Sequence, residues 1–334
     1  MVRRRRTIDW DDGAIVIIDQ CALPNEERIL RLTTVDDLVS AIKRLAVRGA
    51  PALGAAGALG VALACRTYPG DEEAIRAAAA RVASARPTAV NLAREAEAAL
   101  ARLEQGPQAV LDFALGLLEA DEDVNRRASG RAADLIRELC PRRPLRLATH
   151  CNAGHLATVA WGTALGVVWH LDESGELAEV LVDETRPLLQ GSRLTAYELA
   201  AADIPYRICP DGAAASALAR GMVDCVVVGA DRVAANGDVA NKVGTYPLAL
   251  AAHRHGVPFV VVAPESTLDA DTPDGAAITV EEREAEEVTA FAGVRIAPAG
   301  AQAYNPAFDI TPADLVTAVV TEDRVVRPAG ERPK

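Results

Sequence analysis

No two cysteines in this sequence are spaced as C-x-x-C, and no regular interval relates them. The six present, Cys21, Cys65, Cys140, Cys151, Cys209 and Cys225, are scattered along 334 residues. That dispersion argues against a disulfide framework or a zinc site and fits a reducing compartment. The usual phosphate fingerprints are also missing: neither G-x-G-x-x-G nor G-x-x-x-x-G-K-[ST] occurs, which weighs against a nicotinamide or P-loop cofactor. Positive charge is short as well. With 35 Lys and Arg against 47 Asp and Glu, the net charge is −12, so nucleic acid or an anionic membrane is not the expected partner. The basic run Arg3 to Arg6 has no aromatic side chain interleaved and reads as a solvated tail. The next residues, "TIDWDDG", contain no apolar signal-peptide core. The longest uncharged apolar run, "APALGAAGALGVALAC", is too short and glycine-rich to suggest a bilayer span of about 30 Å. A soluble cytoplasmic protein is expected.

What is present is ordinary globular composition, half hydrophobic and a quarter charged, in a chain long enough for two domains. From about Cys140 onward, "LRLATH", "AEVLVDE", "PYRICP", "DCVVVGAD", "PFVVVAP" and "GVRIAP" are short β-branched runs suited to strands buried on both faces. Between them, "GHLATVAWGTALGVV", "SRLTAYELAAAD", "GAAASALARG" and "VANKVGTYPLALAAHRHG" read as helices. Strand alternating with helix predicts a doubly wound α/β domain. The helix around Leu248 ends where Gly256 can cap it and Pro258 prevents continuation. In the first 140 residues, "AIVIIDQ" and "RILRLTT" read as strands of a small antiparallel sheet, followed by helices up to Leu139. The expected organisation is a helical α+β domain over 1–140 and a parallel-sheet domain over 141–334, with "CPRRP" (Cys140 to Pro144) as the linker.

Ligands of open α/β sheets sit beyond the carboxyl ends of the strands. Reactive side chains gather in the loops there: His150, Cys151 and Asn152 after "LRLAT"; Arg186 and Gln190 after "VLVDE"; Asp211 after "YRIC"; Asp231, Asn241 and Lys242 after "VVVGA". Each has a plainer reading. Cys151 is placed where a helix is expected to begin and lower its pKa; taken alone it reads better as a small buried hydrophobe. His150 reads as a structural histidine, and Asp231 as a turn cap or a partner of Arg232. Asn241 and Lys242 read as a solvated first helical turn. In the first domain, "VRGAPALG" sets Arg48, Gly49 and Ala50 ahead of a helix whose first residue is expected to be Pro51, and "RPTAVN" sets Arg86 ahead of another. Free N–H groups beside an arginine form an anion site. Two such sites and Lys242 suggest one phosphate held between the domains, unless the arginines only dress helix ends.

Together "IDQCALP", "AIKRLAVRGAPALG", "RPTAVNL", "THCNAGHLATVAWGTALGVV", "DETRPLLQGSRLTAYEL", "GADRVAANGDVANKVGTYPLA", "VAPESTLD" and "NPAFDITPADLVTAVVT" cover nearly the whole chain. They resemble the methylthioribose-1-phosphate isomerase family of methionine salvage. The wider family holds other sugar-1-phosphate isomerases and regulatory subunits of a translation-initiation guanine-nucleotide exchange factor. The resemblance implies a small α+β domain followed by a Rossmann-like domain, as a homodimer, acting on a sugar 1-phosphate without metal or nucleotide. It puts Cys151 and Asp231 at the catalytic positions. Arg48, Gly49, Ala50, Arg86, Gln190, Asn241 and Lys242 fall on the substrate-binding positions.

The implied chemistry suits these residue types. A phosphate on the anomeric oxygen blocks simple opening to an aldehyde, so an acid must protonate the ring oxygen before hydrogen moves from C2 to C1. A carboxylic acid can donate that proton if its pKa is raised, as apolar surroundings after "CVVVGA" would do for Asp231. Cys151 serves either as the base at C2 or as a guide for a hydride shift. The chain departs from the family pattern at Ala93 and Arg94, where an aromatic pair is common, and at Gly212 and Ala213. Those departures put the C5 substituent in question. The alternatives are a paralogue acting on 5-deoxyribose 1-phosphate or ribose 1,5-bisphosphate, and a non-catalytic regulator that binds sugar phosphates.

Overall fold

The computed structural model describes residues 6–87 and 89–328; Arg3, Arg4 and Arg5 of the basic run and Thr88 of "RPTAVN" lie outside the described residues. The chain forms two compact units, one of Met1–Arg127 with Ala153–Gly166, the other of Ala128–Asn152 with Val167–Lys334. These units differ from the boundary read after residue 140 in two places. They part within a long helix, and the segment following Asn152 packs with the first unit. Neither feature has a local signal, because an amphipathic helix reads the same whichever unit covers each of its turns.

The first unit opens with an antiparallel meander, β1 (Ile8–Asp11), β2 (Ala14–Ile18) and β3 (Ile29–Leu32). Asp12 and Gly13 between β1 and β2 both take positive φ, the conformation that suits a two-residue hairpin turn to the twist of its strands. Helix α1 (Val35–Lys43) starts at a capping box in which Thr34 and Asp37 bond each other's backbone N–H. It is followed by α2 (Ala50–Thr67), α3 (Glu72–Ala83) and α4 (Val90–Leu100).

Helix α2 has the length and mean hydropathy of a membrane span, but 78% of it is buried within the protein. Its hydrophobicity on every side is that of a helix enclosed by neighbours. Glycines let those neighbours approach: a Cβ on Gly57 would lie 2.3 Å from the carbonyl oxygen of Leu92 in α4, and one on Gly60 would meet Leu38 and Val82 side chains. A mid-helix Gly→Ala change ordinarily stabilises by up to about 1 kcal/mol. Gly57→Ala is expected to do the reverse and destabilise by about 1–3 kcal/mol, because backbone must move to admit the methyl group. A lowered denaturant midpoint would show it; an unchanged or raised midpoint would mean that α2 and α4 separate freely.

Helix α5 (Pro107–Leu139) contributes to both units. The segment returned to the first unit was expected to be helical from Gly154, yet α6 (Ala164–Glu173) begins ten residues later. Residues before it form a buried loop, with Trp161 and Gly162 at positive φ. An all-apolar run does not distinguish a buried loop from a buried helix by its periodicity. Here Asp121 of α5 settles the matter, its carboxylate accepting the N–H groups of Val159 at 2.8 Å and Ala160 at 3.0 Å. The Arg126 guanidinium stacks 3.8 Å over Trp161.

In the second unit, β4 (Leu145–Thr149), β5 (Leu177–Asp183), β6 (Tyr206–Cys209), β7 (Cys225–Val228), β10 (Phe259–Val262), β15 (Ala318–Val320) and β16 (Val325–Val326) form one sheet in the order β16-β15-β10-β7-β4-β5-β6. All pairings are parallel except that of β16. The strands β7 and β10 are buried at every residue, as the unbroken apolar runs predict. Helices α7 (Ala196–Ala201), α8 (Ala214–Ala219) and α9 (Thr245–Arg254) connect strands, and α9 stops at Gly256 with φ +66. Successive strands run outward from β4 through β5 to β6, then restart on the other side at β7. The order reverses between β4 and β7, the doubly wound pattern in which ligands bind.

Two strand and helix readings need correction. "VANK" is not the start of α9 but β9 (Val239–Lys242), sandwiched between β8 (Arg232–Ala234) and β14 (Phe308–Thr311) in a separate sheet that β11 (Leu268–Asp269) completes. "GVRIAP" is not a buried parallel strand. After the single turn α10 (Glu286–Thr289), it supplies β13 (Val294–Arg295), hairpinned with β12 (Ala290–Phe291), and leaves Val294 and Ile296 exposed. The sheet position that it was expected to fill belongs to "AVV" in β15, whose apolar run was too short to stand out.

Candidate functional site

The two strands at the reversal of the sheet each deliver a candidate residue: β4 leads into His150, Cys151 and Asn152, and β7 leads to Asp231. Cys151 is 8% exposed and takes φ +62, a left-handed backbone that costs a non-glycine residue of order 1 kcal/mol. Both of its peptide groups are pinned. Its N–H donates to Thr185 Oγ1 at 2.9 Å, and its carbonyl accepts from Thr195 Oγ1 at 2.6 Å. Asn152 donates to Thr195 Oγ1 at 3.2 Å and to the buried Glu198 at 2.8 Å. The expected helix start at Cys151 is not there, since α6 begins at Ala164; a helix dipole therefore gives no account of its reactivity.

Thr185 is itself at positive φ, its N–H and that of Arg186 both held by Asp211 at 2.7 Å. The turn closes on Gly191, where a Cβ would sit 1.7 Å from the carbonyl oxygen of Asp183. Gln190 precedes it, buried, with Oε1 making no hydrogen bond among the described residues. Such an acceptor, 4% exposed, costs free energy unless something bonds to it.

Asp231 is half-buried, and its N–H donates to Ala240 O in β9 at 2.9 Å. Neighbouring Arg232 pairs with Asp269 at 3.5 Å. Asn241 and Lys242, read alternatively as a solvated helical turn, are strand residues. Asn241 is buried and donates to Thr245 Oγ1 at 3.0 Å. Lys242 Nζ donates to Ala307 O at 2.7 Å and lies 5.0 Å from the Phe308 ring centroid. Gly244, two residues beyond this strand, is the N-cap of α9 and donates its N–H to Asp309 at 2.7 Å.

His150 joins the loops. Its Nδ1 is 2.9 Å from Asp183 Oδ2 and its Nε2 is 2.9 Å from the carbonyl oxygen of Val243. Burial is the largest influence and opposes charging the ring, but the bond to Asp183, the charges of Asp183 and Asp211 and the Val243 carbonyl together outweigh it and raise the histidine pKa. Burial also raises the Asp183 carboxyl. The Cys209 thiol, buried beside Asp183, is pushed up to about 12 and stays neutral. Hydrogen bonds thus run from Cys151 through Thr185, Asp183 and His150 to Val243, joining the loops after β4, β5 and β9. Donor atoms of His150, Asp183 and Asp211 lie within 4.8 Å of one another; His150 bonds Asp183 and Val243 O, and Asp211 accepts the N–H groups of Thr185 and Arg186.

Arg48, Gly49, Ala50 and Arg86 lie in the first unit. Gly49, φ +93, is the N-cap of α2, and a Cβ there would strike Ala157 O at 2.1 Å. Pro51 is the second residue of α2, one position later than read, because the helix begins at Ala50. Arg86 precedes α4, its carbonyl accepting the Ala89 N–H at 3.0 Å. Sequence reasoning did not single out Asp183, Thr185, Thr195, Glu198 or Asp309. For Asp183 a signal existed: a carboxylate closing an all-apolar strand must find a partner.

Residues 46–328 match the initiation factor 2 subunit family. A protein of Nocardia farcinica named as a probable bifunctional methylthioribose-1-phosphate isomerase/methylthioribulose-1-phosphate dehydratase is 60% identical over 96% of this chain, which spans 59% of that protein's length. A methylthioribose-1-phosphate isomerase of Anaeromyxobacter sp. (strain K) is 53% identical over 96% of this chain and 94% of its own. A 5-deoxyribose 1-phosphate isomerase of Moorella thermoacetica is 46% identical over 96% and 94%. Among solved structures, 5-methylthioribose 1-phosphate isomerase from Pyrococcus horikoshii OT3 superposes with TM-score 0.87 at 37% identity, covering 97% of this chain and 93% of that one. Translation initiation factor eIF-2B, subunit delta, from A. fulgidus does so with TM-score 0.85 at 42% identity, covering 97% and 96%. The chain belongs to the initiation factor 2 subunit family.

Proposed function

We propose that this chain is an aldose–ketose isomerase converting 5-methylthioribose 1-phosphate to 5-methylthioribulose 1-phosphate in methionine salvage, working in the cytoplasm as a homodimer. The observation that carries the reading is the placement of Cys151 and Asp231 on the two loops where the strand order reverses. A module that only binds has no use for a strained, doubly pinned cysteine on the loop of one strand and a carboxylate on the loop of its neighbour. In this reading Asp231 protonates the ring oxygen, opening the sugar while C1 keeps its phosphate. Cys151 then assists transfer of hydrogen from C2 to C1, as base or as guide for a hydride. Gln190, Asn241 and Lys242, with Arg48, Gly49, Ala50 and Arg86, bind the substrate. The identity to isomerases at 53% and 60% supports it.

The relative acting on 5-deoxyribose 1-phosphate, at 46% identity, favours a second reading: the same reaction on a sugar with a smaller C5 substituent. Ala93, Arg94, Gly212 and Ala213, where this chain departs from the resemblance, are the places to look for that choice. Incubating purified protein with each sugar 1-phosphate and following 13C NMR separates the two by which one yields a ketose carbonyl faster. No carbonyl from any of them would remove the isomerase reading.

The anion-binding residues give a further expected result. Charge-assisted hydrogen bonds contribute roughly 1.5–3 kcal/mol each, so Arg48→Ala, Arg86→Ala and Lys242→Ala should each raise KM by about ten- to a hundredfold. Inorganic phosphate should inhibit the parent protein and inhibit each variant less. Unchanged KM and phosphate inhibition in both arginine variants would place the phosphate elsewhere.

A further inference from the structure

Nothing in the proposed chemistry uses His150, yet it is 1% exposed with both ring nitrogens engaged. A backbone carbonyl can only accept, so Nε2 must carry a hydrogen to bond Val243 O at 2.9 Å. Nδ1 faces a carboxylate oxygen of Asp183 at the same distance, and a proton there satisfies both partners. The ring also packs against the turn after β9. A Cβ on Gly244 would lie 2.5 Å from His150 Cε1, so glycine at φ +106 is what lets the ring in. From the other side Asp309 holds the same turn, accepting from the N–H groups of Gly244 at 2.7 Å and Tyr246 at 3.1 Å.

We infer that His150 is a positioning residue: as a double N–H donor it ties the end of β4, which carries Cys151, to the Lys242–Gly244 turn, and so sets the spacing between them. The charged groups around it are acidic. Asp183 and Asp211 raise its affinity for a proton, and Asp309 interacts with its charge. Cys209, the other titrating group at Asp183, is neutral, and Lys242 is turned to Ala307 O. Two rigid strands joined through one buried ring hold a site more closely than two loops joined through solvent.

The kinetic part rests on the proposed isomerase reading; the structural part does not. In the resting protein, 15N–1H NMR of the histidine ring should show both His150 nitrogens protonated between about pH 6 and 8, a range straddling the unperturbed histidine pKa. A ring with either nitrogen bare at neutral pH would overturn the inference. His150→Asn keeps a donor near Nδ1 and loses the reach to Val243, whereas His150→Gln places a donor near Nε2. Backbone hydrogen exchange at Cys151 and Gly244 should speed up by at least about tenfold in the Asn variant and return toward the parent rate in the Gln variant. If a sugar 1-phosphate is turned over, kcat/KM should fall about ten- to a hundredfold in the Asn variant, the scale of a misplacement near 1 Å, with partial rescue by Gln. Equal losses in both folded variants, or unchanged exchange at both amides, would reduce His150 to core packing. Failure of every sugar phosphate would remove the isomerase reading while exchange and NMR still decide the role of His150.

Discussion

Asp231→Asn is expected to abolish turnover while the substrate still binds. Asparagine keeps the size and most of the hydrogen bonding of aspartate but has no acidic proton to deliver. Its N–H can still bond Ala240 O, the contact that fixes the residue to β9, so the fold should be untouched. Loss of a general acid costs typically 10²–10⁴-fold, and ring opening of a sugar whose anomeric oxygen is esterified has no easy uncatalysed route. The expected result is kcat lower by about 10³-fold or more, the upper part of that range, with a dissociation constant within about threefold of the parent's by calorimetry. The opposite split, intact kcat with lost affinity, would assign Asp231 to holding a sugar hydroxyl.

Cys151→Ala should lower kcat by at least about a hundredfold with little loss of stability. The backbone there is held by Thr185 and Thr195 through groups that alanine retains, and alanine tolerates φ +62 no worse than cysteine does. Cys151→Gly relieves the left-handed strain, so it should be the more stable of the two by up to about 1 kcal/mol if the pinned loop keeps its shape. Both should be equally inactive. Near-normal turnover in either would demote the thiol to a structural role, and a stability loss of several kcal/mol in the alanine variant would mean that the sulfur packs rather than reacts.

Much of the site was legible because chemistry at the end of a buried strand has a recognisable form. "LRLATHCN" and "CVVVGAD" are each an apolar run broken by polar residues, and both runs became parallel strands with those residues at their carboxyl ends. The helix stop at Gly256 and, to within a residue, the helix start at Pro51 were equally readable, since φ and N–H requirements are local. The loop before α6 was not. Its apolar residues are buried throughout, and whether buried chain coils or extends depended on Asp121, far away in sequence, accepting its N–H groups. Asn241 and Lys242 were misplaced for a similar reason: four residues ahead of a good helix look like its first turn until a strand pairs with them from Phe308–Thr311.

By itself the sequence determined the class of the second unit, its strands β4, β5, β6, β7 and β10, the helices of the first unit and the residues to suspect, because hydrophobic period, caps and turn residues act over a few positions. The strand order, the left-handed backbone of Cys151, the ring of His150 against Gly244 and the return of residues 153–166 to the first unit were decided only by tertiary structure. Each of these depends on partners distant in sequence, and each is stable only when a hydrogen bond or a missing Cβ on the far partner compensates what the local chain would not choose alone.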